Sequence, residues 1–340
     1  MSDVVFSPSH NHNLTGASQD RKDDPESRAI WAEGISKRFS RHGRIIQALE
    51  NVSFSPQQGS VFCILGHNGA GKTTLLRILT TITRPSEGTA SICGFDIQKN
   101  IMQVRQQIGI VTQENHFDKY LTLWQNLCLH AQLHGIPKKE YEGRITELLH
   151  QVNLYERRYD YTDEFSGGMQ RRAVLIRALI HKPTVLFLDE PSTGLDPEAR
   201  REIWETIEQF KSWATVVLTT HYMEEADALS DQVMILNAGK VVMRGTPTEL
   251  KRAISPKNTF DVIFHAGKAD DYLPKLQALQ YPEVNRFSRN HLRVTLPEDQ
   301  PVEALLSQLD WADIQQVGET QVDMETVYMA AAVNHSAPTT

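Results

Sequence analysis

The stretch GHNGAGKTT (66–74) fits G-x-x-x-x-G-K-[ST], with Gly66, Gly71, Lys72 and Thr73 at the fixed places. Glycines let such a loop turn its backbone N–H groups inward around a phosphate, and the dipole of a following helix adds to the attraction. In this pattern Lys72 reaches the β- and γ-phosphates and Thr73 offers its hydroxyl to Mg2+, while His67, Asn68, Gly69, Ala70 and Thr74 complete the cradle. A second constellation is VLFLDEPSTGLDP (185–197). Asp189 closes an apolar run and is placed to hold Mg2+ through its water; Glu190 points elsewhere and can take a proton from an attacking water. Two acids at a strand end can also be helix caps, but Asp196 before Pro197 already caps the next helical pattern, PEARREIWETIEQF. A third stretch, FSGGM (165–169), sets Ser166, Gly167 and Gly168 at the start of QRRAVLIRALI. It is a second helix start fit for an anion, in a chain whose first loop already holds one. Gln113 in IGIVTQEN and His221 in VVLTTHYMEEAD end apolar runs; taken singly, each reads as an ordinary loop or buried polar residue.

These residues need strands and helices to carry them. VFCILG (61–66) and TVLFLD (184–189) are continuous apolar runs, as expected for central strands buried on both faces. From Ala29 to about Leu250 short apolar strands alternate with helical segments, which predicts a largely parallel sheet covered by helices. Residues 114–165 interrupt the alternation with two helical patterns. TLWQNLCLHAQLHG opens on a Thr122/Gln125 capping box, and KKEYEGRITELLHQVNL carries Tyr141, Ile145, Leu148 and Leu149 at helical spacing. The expected architecture is therefore α/β over residues 29–250, with a helical subdomain inserted at about 114–165. DQVMILNAGKVVMRG (231–245) predicts two strands joined at Asn-Ala-Gly. Beyond it, TFDVIFH and HLRVTLP alternate as half-buried strands, helical patterns cover about 270–279 and 302–309, and METVYMAAA forms a last short helix. These define a small accessory α+β domain over 256–332, followed by a flexible tail at 333–340. Residues 1–28 are polar and aperiodic, a disordered tail in which His10 and His12 are solvated residues.

Composition narrows the classes. The net charge of −7 opposes nucleic acid as the main partner, since phosphate backbones want a basic surface. No apolar run approaches the ~18–20 residues that cross a bilayer, and the start has no basic-then-apolar signal pattern. Cys63, Cys93 and Cys128 are odd in number and lack metal-ligand spacing, which fits a reducing cytosol.

In order, the phosphate loop, Gln113, FSGGM, FLDEPSTGLDP and TTHYMEEAD resemble the nucleotide-binding subunit of ATP-binding-cassette (ABC) transporters over about residues 29–250. The resemblance implies a P-loop NTPase core, ATP and Mg2+ as ligands, and a γ-phosphate contact from Ser166–Gly168 to ATP on the other cassette of a dimer. It makes Glu190 the general base and Gln113 a sensor of Mg2+ and the attacking water, and it places Asp196 in the loop that crosses the dimer interface. It sets His221 against the γ-phosphate and an aromatic residue, here Phe39 in ISKRFS, against adenine. The family signature usually ends in Gln, whereas this chain has Met169, with Gln170 one place later. Methionine cannot donate a hydrogen bond, but the serine hydroxyl and glycine N–H groups are untouched, so activity is expected to survive.

STGLDP, HYMEEAD and the closing VDMETVYMAA are similar to the ATPase subunits of drug-resistance and nodulation-type exporters. That resemblance implies a subunit peripheral on the cytoplasmic face of the membrane. It would dimerise around two ATP with a second cassette, a copy of this chain being the expected partner, and drive separate integral-membrane permease subunits through the helical insert. The accessory domain then serves dimer support or regulation. The alternative is a soluble non-transport cassette ATPase acting on ribosomes or DNA. Such relatives carry two cassettes per chain or a long inserted coiled coil, and this chain has neither. A regulator that hardly turns ATP over is opposed by Lys72, Asp189, Glu190 and His221, all in place.

Overall fold

The structure, a computed structural model, describes residues 28–41, 44–113, 117–254, 258–265, 267–279, 281–297, 299–320 and 322–333. All but Arg28 of the expected N-terminal tail, His10 and His12 included, and all but Val333 of the expected C-terminal tail lie outside these residues. The chain divides into two compact units between Arg244 and Gly245.

The first unit holds two sheets. Strands β1 (Ile30–Arg41), β2 (Arg44–Phe54), β4 (Glu87–Ile92) and β5 (Phe95–Asp96) form an antiparallel sheet in the order β2-β1-β4-β5. This corrects the expectation of one largely parallel sheet. Only one face of β2 enters the core, through Leu49, Val52 and Phe54, so its apolar signal is half that of a central strand. The second sheet has the order β10-β9-β3-β8-β7-β6, built from β3 (Val61–Leu65), β6 (Ile108–Val111), β7 (Val185–Asp189), β8 (Thr215–Thr220), β9 (Gln232–Asn237) and β10 (Lys240–Gly245). Its β9-β3-β8-β7-β6 pairs are parallel. All five residues of β3 are buried, as the continuous VFCIL run requires. Between β9 and β10 the turn uses positive φ at Ala238 and Gly239, the twist that a tight hairpin favours.

Helices α1 (Lys72–Leu79), α2 (Ile101–Gln107), α6 (Pro197–Phe210) and α7 (Met223–Leu229) accompany the sheets. Leu75, Leu76, Ile78 and Leu79 of α1 join Phe62, Ile64, Phe187 and Val217 in one apolar core, which pins the phosphate loop between a buried strand and a buried helix. The insert comprises α3 (Leu123–Leu133) and α4 (Lys138–Gln151) and leads into α5 (Gly167–Arg177). The Thr122 capping box is complete: its hydroxyl accepts from the Gln125 N–H, and the Gln125 side chain accepts from the Thr122 N–H.

The second unit contains α8 (Pro247–Ile254), β11 (Thr259–Phe264), α9 (Ala269–Ala278), β12 (Glu283–Ser288), β13 (His291–Thr295), α10 (Val302–Leu306), β14 (Ile314–Glu319) and α11 (Met324–Val333). Its antiparallel sheet has the order β12-β13-β11-β14 and covers a core of its own, with Val262, Phe264, Leu276, Leu292 and Val294. The division at Gly245 lies before the boundary near 250 read from the sequence, because α8 packs against α11 within this unit. Among the described residues no helix is long and apolar enough to cross a membrane.

Candidate functional site

The site is built where β3 ends and α1 begins. Gly71 has φ 107, and a Cβ there would lie 2.6 Å from the Ala48 carbonyl oxygen, so only glycine permits this approach. At Gly66 a Cβ would meet the Leu236 carbonyl oxygen at 2.5 Å. Gly71 caps α1 without a side chain, and the first turn carries no acid. The N–H groups of a first helical turn have no intrahelical acceptor, so this one presents uncancelled partial positive charge. A Cβ on Gly69 would meet nothing within 4 Å, which leaves the mouth of the loop open. These features fit a bound phosphate chain.

Lys72 is 4% exposed and donates to the Gly66 carbonyl at 2.7 Å and the His67 carbonyl at 3.2 Å. Its Nζ also faces the Glu190 Oε1 at 3.4 Å, so ammonium and carboxylate offset each other out of water. Thr73 Oγ1 donates to Asp189 Oδ1 at 3.5 Å, and Thr219 Oγ1 donates to the same oxygen at 2.6 Å. A threonine hydroxyl and a carboxylate side by side are the hard oxygen donors that suit Mg2+. Glu190, directly after β7, has φ 48, a costly conformation for a residue with a Cβ. Its N–H is held by the Thr219 carbonyl at 3.1 Å and hydroxyl at 3.2 Å. That turn separates Glu190 from Asp189 and sends its Oε2 toward Thr193 Oγ1, a donor at 3.2 Å, and His221 Nδ1 at 3.3 Å. The His221 contact has the distance of an ion pair without hydrogen-bond alignment.

Gln113 lines the cleft on both sides. It borders one cavity with Thr73 and Asp189 and a second with Lys72, Thr74 and Glu190. Ser166, Gly167 and Gly168 line neither cavity, and Ser166 and Gly167 are exposed. The Ser166 hydroxyl caps α5 by accepting from the Met169 N–H at 3.3 Å, a contact that uses no Met169 side-chain atom. Gln170 is fastened inward, donating to the Thr162 carbonyl at 3.0 Å. Asp196 caps α6 through the Ala199 N–H at 2.9 Å and stays exposed. Phe39 lies on β1, 42% exposed, with the Lys37 ammonium 5.0 Å from its ring. The cleft is lined instead by Ile46, which pairs with Phe39 across the strands, together with Gln47 and Ala48. His67 is exposed, with Nδ1 2.7 Å from the Asn68 carbonyl and Nε2 3.1 Å from Asn237 Oδ1.

Arg171 is a positioning residue that sequence reasoning passed over. It is 5% exposed and donates to four carbonyls: Pro191 at 2.6 Å, Thr112 at 2.6 Å, and Asp189 and Glu190 at 3.1 Å each. One guanidinium thus ties α5 to the residue before Gln113 and to both acids. Burial pulls its pKa down to about 10, opposed by the charges of Glu225 and Asp189. The signal was the QRR run after FSGGM, but two adjacent arginines on a helix do not tell which one turns inward. Glu225 was missed as well; it is fully buried on α7, accepts from Trp204 Nε1 at 3.0 Å, and burial raises its pKa.

The sequence profile of the ABC transporter family matches residues 49–193. The chain is 42% identical over 224 residues to the doxorubicin resistance ATP-binding protein DrrA of Mycobacterium tuberculosis, covering 66% of this chain and 67% of that one. It is 37% identical over 258 residues to the Nod factor export ATP-binding protein I of Ralstonia nicotianae, covering 76% and 77%. A solved ATP-binding subunit of an ABC transporter superposes with TM-score 0.59 at 28% identity over 66% of this chain and 92% of that chain. A dimeric ATP-binding cassette in a post-hydrolysis state, bound to ADP and Pi, gives TM-score 0.59 at 25% identity over 64% and 98%.

Proposed function

The chain belongs to the ABC transporter family as an ATP-binding subunit, and from that premise we propose that it is the ATPase of an exporter, driving separate membrane permease subunits. The observation that carries the chemistry is the convergence of Lys72, Thr73, Asp189, Glu190 and His221 on the uncapped start of α1. Phosphate charge drawn to that helix start competes with Glu190 for the Lys72 ammonium, which releases the carboxylate as a base. Thr73 and Asp189 would hold Mg2+, which would supply charge neutralisation on the phosphate oxygens. Water attacks the γ-phosphorus as the bond to the ADP oxygen breaks, and Glu190 takes the water proton. Thr193 donates to Glu190 Oε2, with His221 beside it, and so positions the carboxylate for that transfer, while Gln113 borders the cavities on both sides of Thr73.

The Ser166–Gly168 turn, exposed at Ser166 and Gly167 and outside both cavities of its own cassette, supports a working unit of two cassettes, each offering this turn to the nucleotide of the other. A similar cassette solved as a dimer with ADP and Pi supports the pairing of two cassettes. The cassette then works against a permease at the cytoplasmic face of the membrane, with a second copy of this chain as its partner.

The test is Glu190→Gln. Turnover is expected to fall roughly 10²-fold or more while ATP still binds, because the amide keeps the shape and loses the base. With ATP and Mg2+ the variant is expected to accumulate as a dimer on size-exclusion chromatography, with or without added permease. Undiminished turnover would sink the assignment of the base, and a monomer with ATP demonstrably bound would sink the two-cassette model.

A further inference from the structure

Three histidines that line neither cavity of the nucleotide site meet beside β6. His130 lies on α3, His134 ends the same helix four residues on, and His181 follows α5 on the way to β7. A spacing of four puts His130 and His134 on one helix face, and the fold brings His181 to them. Ring centroids are 4.6 Å apart for His130 and His134, and 4.0 Å for His134 and His181. One ligand nitrogen from each ring can be chosen so that all three lie within 4.8 Å of one another. They line a cavity of about 320 Å³ with Thr80, Arg105 and Ile108.

The protonation pattern determines what this cavity accepts. His181 Nε2 is 2.9 Å from the Ile108 carbonyl, which can only accept, so Nε2 carries the hydrogen and Nδ1 presents a lone pair. That Nδ1 is buried without a partner, and so is Nε2 of His130. The lone pairs of imidazole nitrogens suit a metal ion. Arg105, which donates to Thr81 Oγ1 at 3.0 Å, and Arg177, over the Phe117 ring at 4.8 Å, oppose a cation electrostatically. A carbonyl that fixes the tautomer of a histidine is also the usual outer support of a ligand histidine.

We propose that His130, His134 and His181 form a binding site for a divalent late transition metal of the Zn2+ class, closed by water in the fourth position. Three imidazoles favour Zn2+, Co2+, Ni2+ or Cu2+ over Mg2+ or Ca2+. Nitrogens of a tetrahedral site sit about 3.3 Å apart, and the His134 and His181 rings are stacked at 13°, so binding requires His134, exposed at the helix end, to rotate out of the stack and close on the other two. A metal here would fasten α3 of the helical insert to the segment before β7 and, through Ile108, to β6.

The experiment uses the full chain without a polyhistidine tag, titrated with Co2+ and followed by its visible ligand-field absorption, with Zn2+ as competitor. One equivalent of Co2+ is expected to bind with a tetrahedral band that Zn2+ displaces. His130→Ala and His181→Ala are expected to weaken binding roughly 100-fold or more. His134→Ala, at an exposed position, keeps the test valid if the variants at half-buried His130 and His181 fail to fold. His10→Ala/His12→Ala is expected to change nothing, and hydrogen exchange of residues 123–134 is expected to slow with Zn2+. Absence of the band in the unaltered chain, its persistence in all three single variants, or its loss in His10→Ala/His12→Ala would each overturn the proposal.

Discussion

Helices α1 and α5 both begin at glycine-rich turns, yet they are finished in opposite ways. At α1 the cap is Gly71, with no side chain to satisfy the N–H groups, and Lys72, Thr73, Asp189 and Glu190 crowd around the opening. At α5 Ser166 satisfies one N–H itself, and Ser166 and Gly167 face outward. Around the first start stand an ammonium, a hydroxyl and two carboxylates, the groups that the proposed hydrolysis draws on. The second carries donors but no acid, metal ligand or base, so it can contribute only to a phosphate presented from outside. What links the two is Arg171, rooted in α5, with hydrogen bonds to the backbone of Asp189 and Glu190.

Substitutions can break this contrast in graded steps. Gly167→Asp should have the largest effect. A Cβ there meets only Leu195 Cδ2 at 3.5 Å, so the cassette should fold and bind ATP, while the added carboxylate repels a facing phosphate. Hydrolysis is expected to fall on the order of 10²-fold at unchanged ATP affinity, measured by turnover beside equilibrium binding. A parallel loss of ATP affinity would mean that α5 serves its own nucleotide. Arg171→Lys tests the link. A single ammonium cannot replace a fork that reaches four carbonyls, so thermal or denaturant unfolding should show a loss of about 2–4 kcal/mol in the cassette. Retained stability with lost turnover would instead place Arg171 in the chemistry. Met169→Gln should do least. The cap uses the Met169 N–H, and Gln170 is already anchored to the Thr162 carbonyl, so turnover should stay within about twofold. A large gain would show that a side-chain donor at 169 matters to the facing nucleotide.

The first half of the contrast was legible in the chain itself. A phosphate loop needs glycines, a lysine and a threonine at fixed offsets, because the loop is one continuous piece of backbone. Central strands announce themselves by unbroken apolar runs, and α6 and the capping box of α3 were readable from local pairs such as Asp196–Pro197 and Thr122–Gln125. The antiparallel sheet escaped notice because strands buried on one face, such as β2, carry a weak pattern broken by polar residues. Ile46 was not singled out for the cleft because its place there depends on which residue it pairs with on β1.

By itself, the sequence determined the chemistry: a loop for phosphate, paired acids after a buried strand, and a second anion-ready turn, all encoded by neighbours within a dozen residues. Tertiary structure decided which groups converge. Only the fold sets Glu190 between Lys72 and His221, since the spacing of 118 and 31 residues carries no distance information. Only the fold turns Arg171 rather than Arg172 inward and brings His181 to His130 and His134. Local backbone geometry can be written in adjacent residues, whereas contacts between distant segments follow from how helices and strands bury their apolar faces together.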